Sequence, residues 1–270
     1  MTMTARPSTD TSQPSVLQLR RDAAVATLTF NRPAALNALD VRMARALLAA
    51  ARDLASDATV RAVVLRGAGN AFMAGGDLAT LRADPVQGAI DLITPFHEAI
   101  SILTTMNAPV IAQVHGVAAG AGLSLMLHAD FVWVAEGTRL NSAFINLGAS
   151  CDSGTSWMLP RLVGLRRALE IAMLGETFGP VDAERLGLIN RVVPAERLDA
   201  ETHALAQRLA CGPTLAYGAM RRLMRESFDR SLPDQLRAEA AAFEACAATR
   251  DFRAGVDAFY ARQDARFAGH

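Results

Sequence analysis

Four short segments of the chain are rich in apolar and β-branched residues, either continuously or at alternating positions. Runs of this length and composition are typical of β-strands buried on at least one face. The pattern therefore predicts strands over residues 25–30, 62–67, 109–114 and 130–135.

Longer segments between these strands repeat apolar residues at helical spacing. One predicted helix spans 40–56, where Asp40 is placed to cap its first turn, and two more span 89–106 and 120–129. Because strands and helices alternate, the pattern favours an α/β architecture built from βαβ-type units.

Strand signals stop near residue 195, and only helical patterns follow. Pro213 and Pro233 lie near helix starts, where the missing N–H costs nothing. We expect a flexible tail over 1–15, a core over 16–195 and a helical packing or oligomerisation region over 196–270, with helices at 196–210, 213–228, 232–248 and 251–266.

Composition and charge exclude several classes of function. The 270 residues are about half apolar and carry 27 basic and 27 acidic side chains, so no net field attracts nucleic acid or an anionic membrane. The longest apolar run, residues 116–127, falls short of the roughly 18 residues that a membrane span needs.

Cysteine usage and the amino-terminal segment indicate a cytoplasmic protein. Cys151, Cys211 and Cys246 are odd in number, far apart and outside any metal-ligand spacing, which predicts reduced thiols and neither a disulfide nor zinc. The first fifteen residues have no apolar stretch of the kind a signal peptide requires.

Two glycine-bearing segments follow predicted strands: "AFMAGGDL" at 71–78 and "VHGVAAGAGLSLMLHAD" at 114–130. Glycine lets successive N–H groups point into one concavity, and the second segment also opens a helix, whose dipole favours negative charge. Both segments are thus candidates for binding an oxyanion. The alternative is that they are only tight turns, with Asp77 capping a helix that starts at Leu78.

Together with "NRPAALNALD" at 31–40, these motifs resemble the crotonase, or enoyl-CoA hydratase/isomerase, superfamily, over about residue 16 to the carboxyl terminus. The resemblance implies a spiral α/β core of repeated ββα units, a carboxyl-terminal helical oligomerisation region, and a trimer or dimer of trimers. It also implies an acyl-CoA substrate and neither a metal nor a redox cofactor. The N–H groups of Ala74 and Ala121 would bind the thioester oxygen and stabilise an enolate.

The two glutamates that hydratases of this superfamily use are replaced here by Ser124 and Phe144. The run "FINLGASCDSGTSWMLPRLVG" resembles enoyl-CoA isomerases of the ring-opened 1,2-epoxyphenylacetyl-CoA type, which place one catalytic aspartate at the position of Asp152. One carboxylate suffices to move an allylic proton, and Phe144, Trp157 and Met158 are expected to shield it from water. The alternative is that Asp152 only caps a helix beginning near Ser153.

A rival resemblance is to 4-chlorobenzoyl-CoA dehalogenases, in which an aspartate at this place attacks the ring with help from a histidine at the position of His97. The side chain of Phe144, however, has no N–H to donate to Asp152. Thioester hydrolysis, weak hydration and a non-catalytic binding protein remain open, as does a packing role, a pocket-lining role or an Asp152-holding role for His97. His115 and His128 are interpreted as structural.

Coenzyme A contacts follow from the resemblance alone. The first turn would contribute Arg32, Ala35 and Leu36, the glycine loop Gly75, Gly76, Asp77 and Leu78, and the last helix Phe259 and Arg262, the latter two reaching CoA from a neighbouring subunit or a swung helix. The alternative for Arg32 and Arg262 is an ordinary solvated turn and helix face.

Overall fold

The computed structural model describes residues 15–270 and begins with an antiparallel hairpin. Strand β1 (Leu17–Asp22) pairs with β2 (Val25–Phe30) across a turn in which Ala23 takes a φ of 48°. Apart from Ser15, the predicted tail over 1–15 lies outside the described residues.

Six further strands complete two sheets. They are β3 (Ala62–Gly67), β4 (Val110–Val114), β5 (Val117–Ala119), β6 (Phe131–Ala135), β7 (Arg139–Asn141) and β8 (Arg191–Val193). The larger sheet has the order β1-β2-β3-β4-β6-β8 and is parallel from β2 onward, while β5 and β7 form a separate parallel pair.

Helices connect the strands of the core. They are α1 (Val41–Ser56), α2 (Leu78–Ala83), α3 (Pro85–Thr105), α4 (Ala121–His128), α5 (Thr155–Leu174) and α6 (Pro180–Arg185). The successions β4-β5-α4 and β6-β7-α5 are ββα units, so the predicted spiral α/β core is confirmed. Asp40 caps α1 as expected, because its carboxylate accepts the Met43 N–H at 2.8 Å.

The core lies between the larger sheet and the first helices. Its largest fully buried side chains include Phe30, Phe72 and Phe96, and the rings of Phe30 and Phe72 meet edge to face at 5.5 Å. Helices α1 and α3 therefore cover one face of the sheet with apolar side chains, and they fix the loops that leave its strands.

The carboxyl-terminal region consists of α7 (Leu198–Ala210), α8 (Thr214–Glu226), α9 (Leu232–Ala247) and α10 (Arg250–Ala261). Helix α7 packs Ala206, Leu209 and Ala210 against the second face of the sheet, so this helix belongs to the core. The predicted helix over 251–266 ends early, because Arg262 takes a left-handed φ of 54°.

Four strands escaped prediction, namely β1, β5, β7 and β8. Three of them are only three residues long, too short to show a period of two, and β1 is mostly polar because most of its residues are solvent-accessible.

Among residues 15–270, no helix has the length and hydrophobicity that crossing a membrane would require.

A buried arginine ties α8 to the core. Arg221 is 8% exposed and donates to the main-chain carbonyls of Leu103 at 2.8 Å, Ala108 at 2.9 Å and Met106. Its Nε also lies 2.7 Å from a carboxylate oxygen of Asp130. The Arg221 side chain thus satisfies the main-chain carbonyls at the end of α3 and neutralises the Asp130 carboxylate, which precedes β6.

Replacement of this arginine tests the tie. We expect Arg221→Met to lower the free energy of unfolding by about 3 kcal/mol, because buried carbonyls lose their donor and Asp130 loses a counter-charge. The matched control is Arg222→Met, because Arg222 is only half-buried and also bonds to the end of α3; this substitution should cost less than about 1 kcal/mol. Equal losses in urea unfolding would contradict this account.

Candidate active site

The two glycine-bearing loops lie side by side in the structure. Met73 and Ala118 form a parallel bridge, in which the Met73 N–H donates to Val117 at 3.1 Å and the Ala119 N–H donates to Met73 at 3.0 Å. Beyond the bridge the backbones touch, since a Cβ on Gly120 would lie 3.5 Å from the Gly75 Cα. Gly75 and Gly120 take φ of 109° and 48°, which residues with side chains rarely adopt.

The turn before α1 holds the other edge of the first loop. The Leu39 N–H donates to Gly75 at 2.8 Å, and the Asp77 N–H donates to Leu39 at 2.9 Å. These two bonds use the groups that flank Gly76, so the N–H of Gly76 itself faces away from Leu39. Within residues 15–270, no acceptor is bonded to that N–H.

The donor expected at Ala74 is corrected by this pairing. The Ala74 N–H already donates to the Leu36 carbonyl at 3.1 Å and is not free to bind a ligand. Among the described residues, the N–H groups of Gly75 and Gly76 have no acceptor, and the pairing directs that of Gly76 away from Leu39. On the second loop, Ala121 is the first residue of α4, so its N–H has no acceptor within the helix.

Asn37 supports this arrangement and was not singled out from the sequence. It is fully buried, takes a φ of 58°, and its amide donates to the carbonyls of Ala68 at 2.9 Å and Ala71 at 2.7 Å. Its side-chain oxygen accepts the Arg32 N–H at 2.8 Å. In the sequence, the one indication that Asn37 is buried and structurally important is its position as a polar residue within the apolar run "AALNAL".

Asp152 lies on the turn before α5 and meets a histidine from α3. One carboxylate oxygen is 2.7 Å from Nε2 of His97, and the other accepts the Ser153 hydroxyl at 3.0 Å. The Asp152 side chain is 27% exposed and that of His97 is 47% exposed. The carboxylate is therefore partly shielded, held in one orientation and still open to a ligand.

The helix-capping alternative for Asp152 does not hold. Helix α5 begins at Thr155, and Gly154 is the cap residue. Asp152 contributes its main-chain carbonyl to this turn, accepting the Thr155 N–H at 3.0 Å, while its carboxylate is turned to His97. The Asp152 side chain therefore does not cap α5, and helix capping does not account for an aspartate at this position.

The two positions of the hydratase glutamates hold no acid in the structure. Ser124 is fully buried within α4, and Phe144 begins a one-turn 3₁₀ helix after β7.

Asp77 caps α2 by accepting the Ala79 N–H at 2.9 Å. Asp77 is therefore already committed to a structural role.

Arg32 is ion-paired rather than free at the surface. Its guanidinium lies 2.8 Å from Asp77 and 3.4 Å from Asp40, and it also donates to the Ala38 carbonyl. Burial alone would raise the pKa of Asp77, but the hydrogen bonds from Arg32 and from backbone N–H groups lower it below its ordinary value of 3.8. The neighbouring residues Ala35, Leu36 and Leu78 are exposed.

Phe259 and Arg262 lie at the end of α10, both exposed. Phe259 meets Tyr260 edge to face and lines an apolar cavity of about 490 Å³ with Phe252 and Phe267. The hydrogen bonds and ring contacts of these two residues, within the part of the chain that the structure describes, are all to residues of the same region.

His115 and His128 both bond to main-chain carbonyls, in agreement with a structural role. Nε2 of His115 lies 2.9 Å from the Gly69 oxygen, and Nε2 of His128 lies 3.0 Å from the Ser153 oxygen. Burial, aided by the charge of Arg225, lowers the pKa of His128 from 6.5 to about 4. This imidazole is neutral near pH 7 and braces the turn beside Asp152.

Comparison with known proteins assigns this site to a family. Residues 20–270 match the family model described as enoyl-CoA hydratase/isomerase. The chain belongs to the enoyl-CoA hydratase/isomerase family.

No group of three or more histidine, cysteine, aspartate or glutamate side chains within residues 15–270 is placed to hold a metal ion.

Curated relatives in the family carry both kinds of name. The chain is 36% identical over 245 residues to a probable enoyl-CoA hydratase of Rhodobacter capsulatus, covering 91% of this chain and 95% of that one. It is also 36% identical over 249 residues to the 1,2-epoxyphenylacetyl-CoA isomerase of Escherichia coli, with the same coverage. Membership therefore implies an acyl-CoA substrate but does not choose between hydration and isomerisation.

Solved structures of the family share the whole fold. The enoyl-CoA hydratase of Mycobacterium smegmatis superposes with a TM-score of 0.89 at 33% identity, covering 94% of this chain and 99% of that one. That of Bacillus anthracis gives 0.90 at 26% identity over 94% and 100% of the two chains.

Acyl-CoA binding should depend on the contact between the two loops. A Cβ at Gly122 would lie 2.1 Å from the Met73 carbonyl oxygen, so Gly122→Ala must push the loops apart. A displacement of this size can cost roughly 100-fold in turnover, and we expect a comparable loss of butyryl-CoA affinity by calorimetry. Gly179→Ala is the control, since its Cβ would meet nothing within 4 Å. Unchanged binding in Gly122→Ala would contradict the assignment.

The neutral His128 makes stability depend on pH. Below pH 6.5 the unfolded chain takes up a proton that the folded chain binds only near pH 4, so stability falls as pH falls through this window. The slope approaches about 1.4 kcal/mol per pH unit. Urea unfolding at pH 7 and pH 5 should show this loss in the parent and in the exposed control His203→Gln, and a smaller loss in His128→Gln. Equal pH dependence in both variants would refute the proposed protonation.

Proposed function

We propose that the protein is an enoyl-CoA isomerase that shifts a double bond along the acyl chain of its substrate. Asp152 takes a proton from the carbon beside the thioester of a 3-enoyl-CoA and returns it two bonds away, which gives a 2-enoyl-CoA. The observation that carries the proposal is one oriented carboxylate, bonded to His97 and Ser153, with no acid at position 124 or 144.

The free N–H groups of Gly76 and Ala121 would hold the thioester oxygen. Proton loss moves negative charge onto that oxygen, and each fixed donor of this kind is worth roughly 3 to 4 kcal/mol in the transition state. The dipole of α4 adds to the effect because Ala121 stands at the amino terminus of that helix. The site therefore acidifies the α-carbon without a metal or redox cofactor.

One carboxylate is sufficient for this reaction. The proton that Asp152 removes is the proton that it returns, so acid and base are the same group and the enzyme ends unchanged. Hydration, in contrast, needs a group that activates water and a group that protonates carbon. The hydroxyl of Ser124 and the ring of Phe144 supply neither near neutral pH.

His97 supports Asp152 in this scheme. With Nε2 protonated, the imidazole donates to one carboxylate oxygen and leaves lone pairs of the other to face the substrate. The same contact favours a second candidate, in which Asp152 attacks the acyl group, or an aromatic ring as in the dehalogenases. That reaction forms a covalent aspartyl adduct and releases either free CoA or a leaving group from the ring.

We further propose a cytoplasmic homo-oligomer, either a trimer or a dimer of trimers. Exposed apolar side chains support assembly, because a monomer would leave a large apolar area in water. They lie on α5, α9 and α10 and include Leu165, Leu169, Met173, Leu232, Phe243, Phe259 and Tyr260. In such an assembly, Phe259 and Arg262 of one subunit would reach the CoA bound by its neighbour, beside Arg32, Ala35, Leu36, Gly75, Asp77 and Leu78.

Substitution of the carboxylate tests the proposed reaction. Asp152→Asn keeps the shape and loses the base, so conversion of 3-hexenoyl-CoA to the 2-enoyl isomer should fall at least about 100-fold. The absorbance of the conjugated thioester follows the reaction, and thermal unfolding verifies the fold. His97→Gln should reduce the rate less, since the amide can still donate to Asp152.

Two outcomes of the same assay contradict the proposal. An Asp152→Asn variant that folds normally and isomerises at the parent rate would exclude Asp152 as the base. Release of free CoA by the parent protein, or a covalent adduct on the Asp152 peptide in mass spectrometry, would instead favour the second candidate.

A further inference from the structure

Two buried hydroxyl groups join helix α4 to the turn that carries Asp152. Ser124 and Thr155 are both fully buried, and their side-chain oxygens lie 2.5 Å apart. Thr155 Oγ1 is also 2.8 Å from the Asp152 main-chain oxygen, and Ser124 Oγ is 2.9 Å from the Gly120 oxygen. These four groups form a chain of contacts at hydrogen-bond distance, with the two hydroxyls between the two carbonyls.

The proton count of this chain allows two arrangements. Each hydroxyl has one proton, so if Ser124 donates to Thr155, then Thr155 donates to the Asp152 carbonyl. In the reverse arrangement Thr155 donates to Ser124, and Ser124 donates to the Gly120 carbonyl. Both hydroxyls are satisfied either way, and the link between α4 and the turn persists in both.

The ends of the chain are the two parts of the proposed catalytic apparatus. One end is the backbone of Asp152, which carries the base. The other is Gly120, whose neighbour Ala121 carries a free N–H for the enolate oxygen. The buried contact between Ser124 and Thr155, which is bonded in both arrangements, therefore lies between the base and the oxyanion donor.

The Asp152 turn needs such support from outside. Ser153 and Gly154 both take left-handed conformations, with φ of 54° and 74°, and this conformation is unfavourable for serine. His128 contacts one side of the turn at the Ser153 carbonyl, and on the other side the Thr155 hydroxyl lies 2.8 Å from the Asp152 carbonyl oxygen. Without the pair, the one side-chain bond from α4 to this turn, among the described residues, would be that of His128 to the Ser153 carbonyl.

We infer that Ser124 and Thr155 are positioning residues for proton transfer, which set the placement of the Asp152 carboxylate relative to the Ala121 N–H. This inference rests on the proposed function. It also gives position 124 a role of its own. The residue that stands where hydratases carry an acid is a structural hydroxyl, and Thr155 fills the space beside it.

The test compares the hydroxyl pair with a matched buried threonine. Thr138 is 2% exposed, and like Thr155 it donates its N–H and hydroxyl to the carbonyl three residues earlier, in this case that of Ala135. The variants are Ser124→Ala, Thr155→Val, Thr155→Ser and the control Thr138→Val. For each, kcat and KM are measured for 3-hexenoyl-CoA isomerisation, together with thermal unfolding and the Asp152→Asn variant.

We expect Ser124→Ala and Thr155→Val to lower kcat about 10- to 100-fold with KM changed less than about threefold, because misplacement of a catalytic group acts on the transition state. Thr155→Ser, which keeps the hydroxyl, should restore most of kcat, and Thr138→Val should match the parent. If Thr155→Val fails to fold, Ser124→Ala and Thr155→Ser carry the comparison.

Other outcomes overturn the inference and distinguish it from the proposed function. If Asp152→Asn abolishes isomerisation but Ser124→Ala and Thr155→Val keep the kcat of Thr138→Val, the positioning role is wrong and the isomerase proposal stands. If Asp152→Asn retains the parent rate, both are wrong. A Thr155→Ser variant as slow as Thr155→Val would show that packing by the threonine methyl, and not the hydroxyl, matters.

Discussion

The site depends on a contact between two stretches of backbone. A Cβ at Gly122 would clash with the Met73 carbonyl, and Gly75 and Gly120, which face each other, take φ of 109° and 48°, conformations that side-chain-bearing residues rarely adopt. This proximity brings the first loop close to the amino terminus of α4. The pairing of Leu39 with the groups flanking Gly76 leaves the Gly76 N–H without an acceptor among the described residues.

Side chains from three helices hold the turn that carries the Asp152 carboxylate. Helix α3 supplies His97, helix α4 supplies Ser124 and His128, and the start of α5 supplies Thr155. Behind them, Arg225 of α8 donates to the His128 carbonyl at 2.8 Å and to Asp130 at 2.9 Å. The carboxyl-terminal helices thereby brace the end of α4, and with it the turn of Asp152.

Much of the fold could be predicted from the sequence, because its longer strands and helices have clear periods. The central strands and α1 with its Asp40 cap are local features, and the alternation of strands and helices sets the architecture. The three-residue strands β5, β7 and β8 could not be predicted, since their formation depends on partners distant in the chain. Likewise, α10 ends at a single left-handed residue, Arg262, that the composition does not indicate.

The site shows the same division between local and distant information. The motifs identified both loops, but the choice of Gly76 over Ala74 as the free donor depends on bonds to Leu36 and Leu39. The carboxylate of Asp152 could be picked out by its position, whereas its contact with His97 joins residues 55 apart. Arg32 was expected to contact coenzyme A or to lie on a solvated turn, and its ion pairs with Asp40 and Asp77 join residues that are distant or not adjacent in the chain.

The central claim is that one oriented carboxylate moves a proton and adds nothing to the substrate. Mass spectrometry of the CoA thioesters after incubation with 3-hexenoyl-CoA tests it most directly, with chromatography to separate the double-bond isomers. The account predicts a conjugated product of unchanged mass and intact thioester. A product heavier by one water, or the appearance of free CoA, would contradict it.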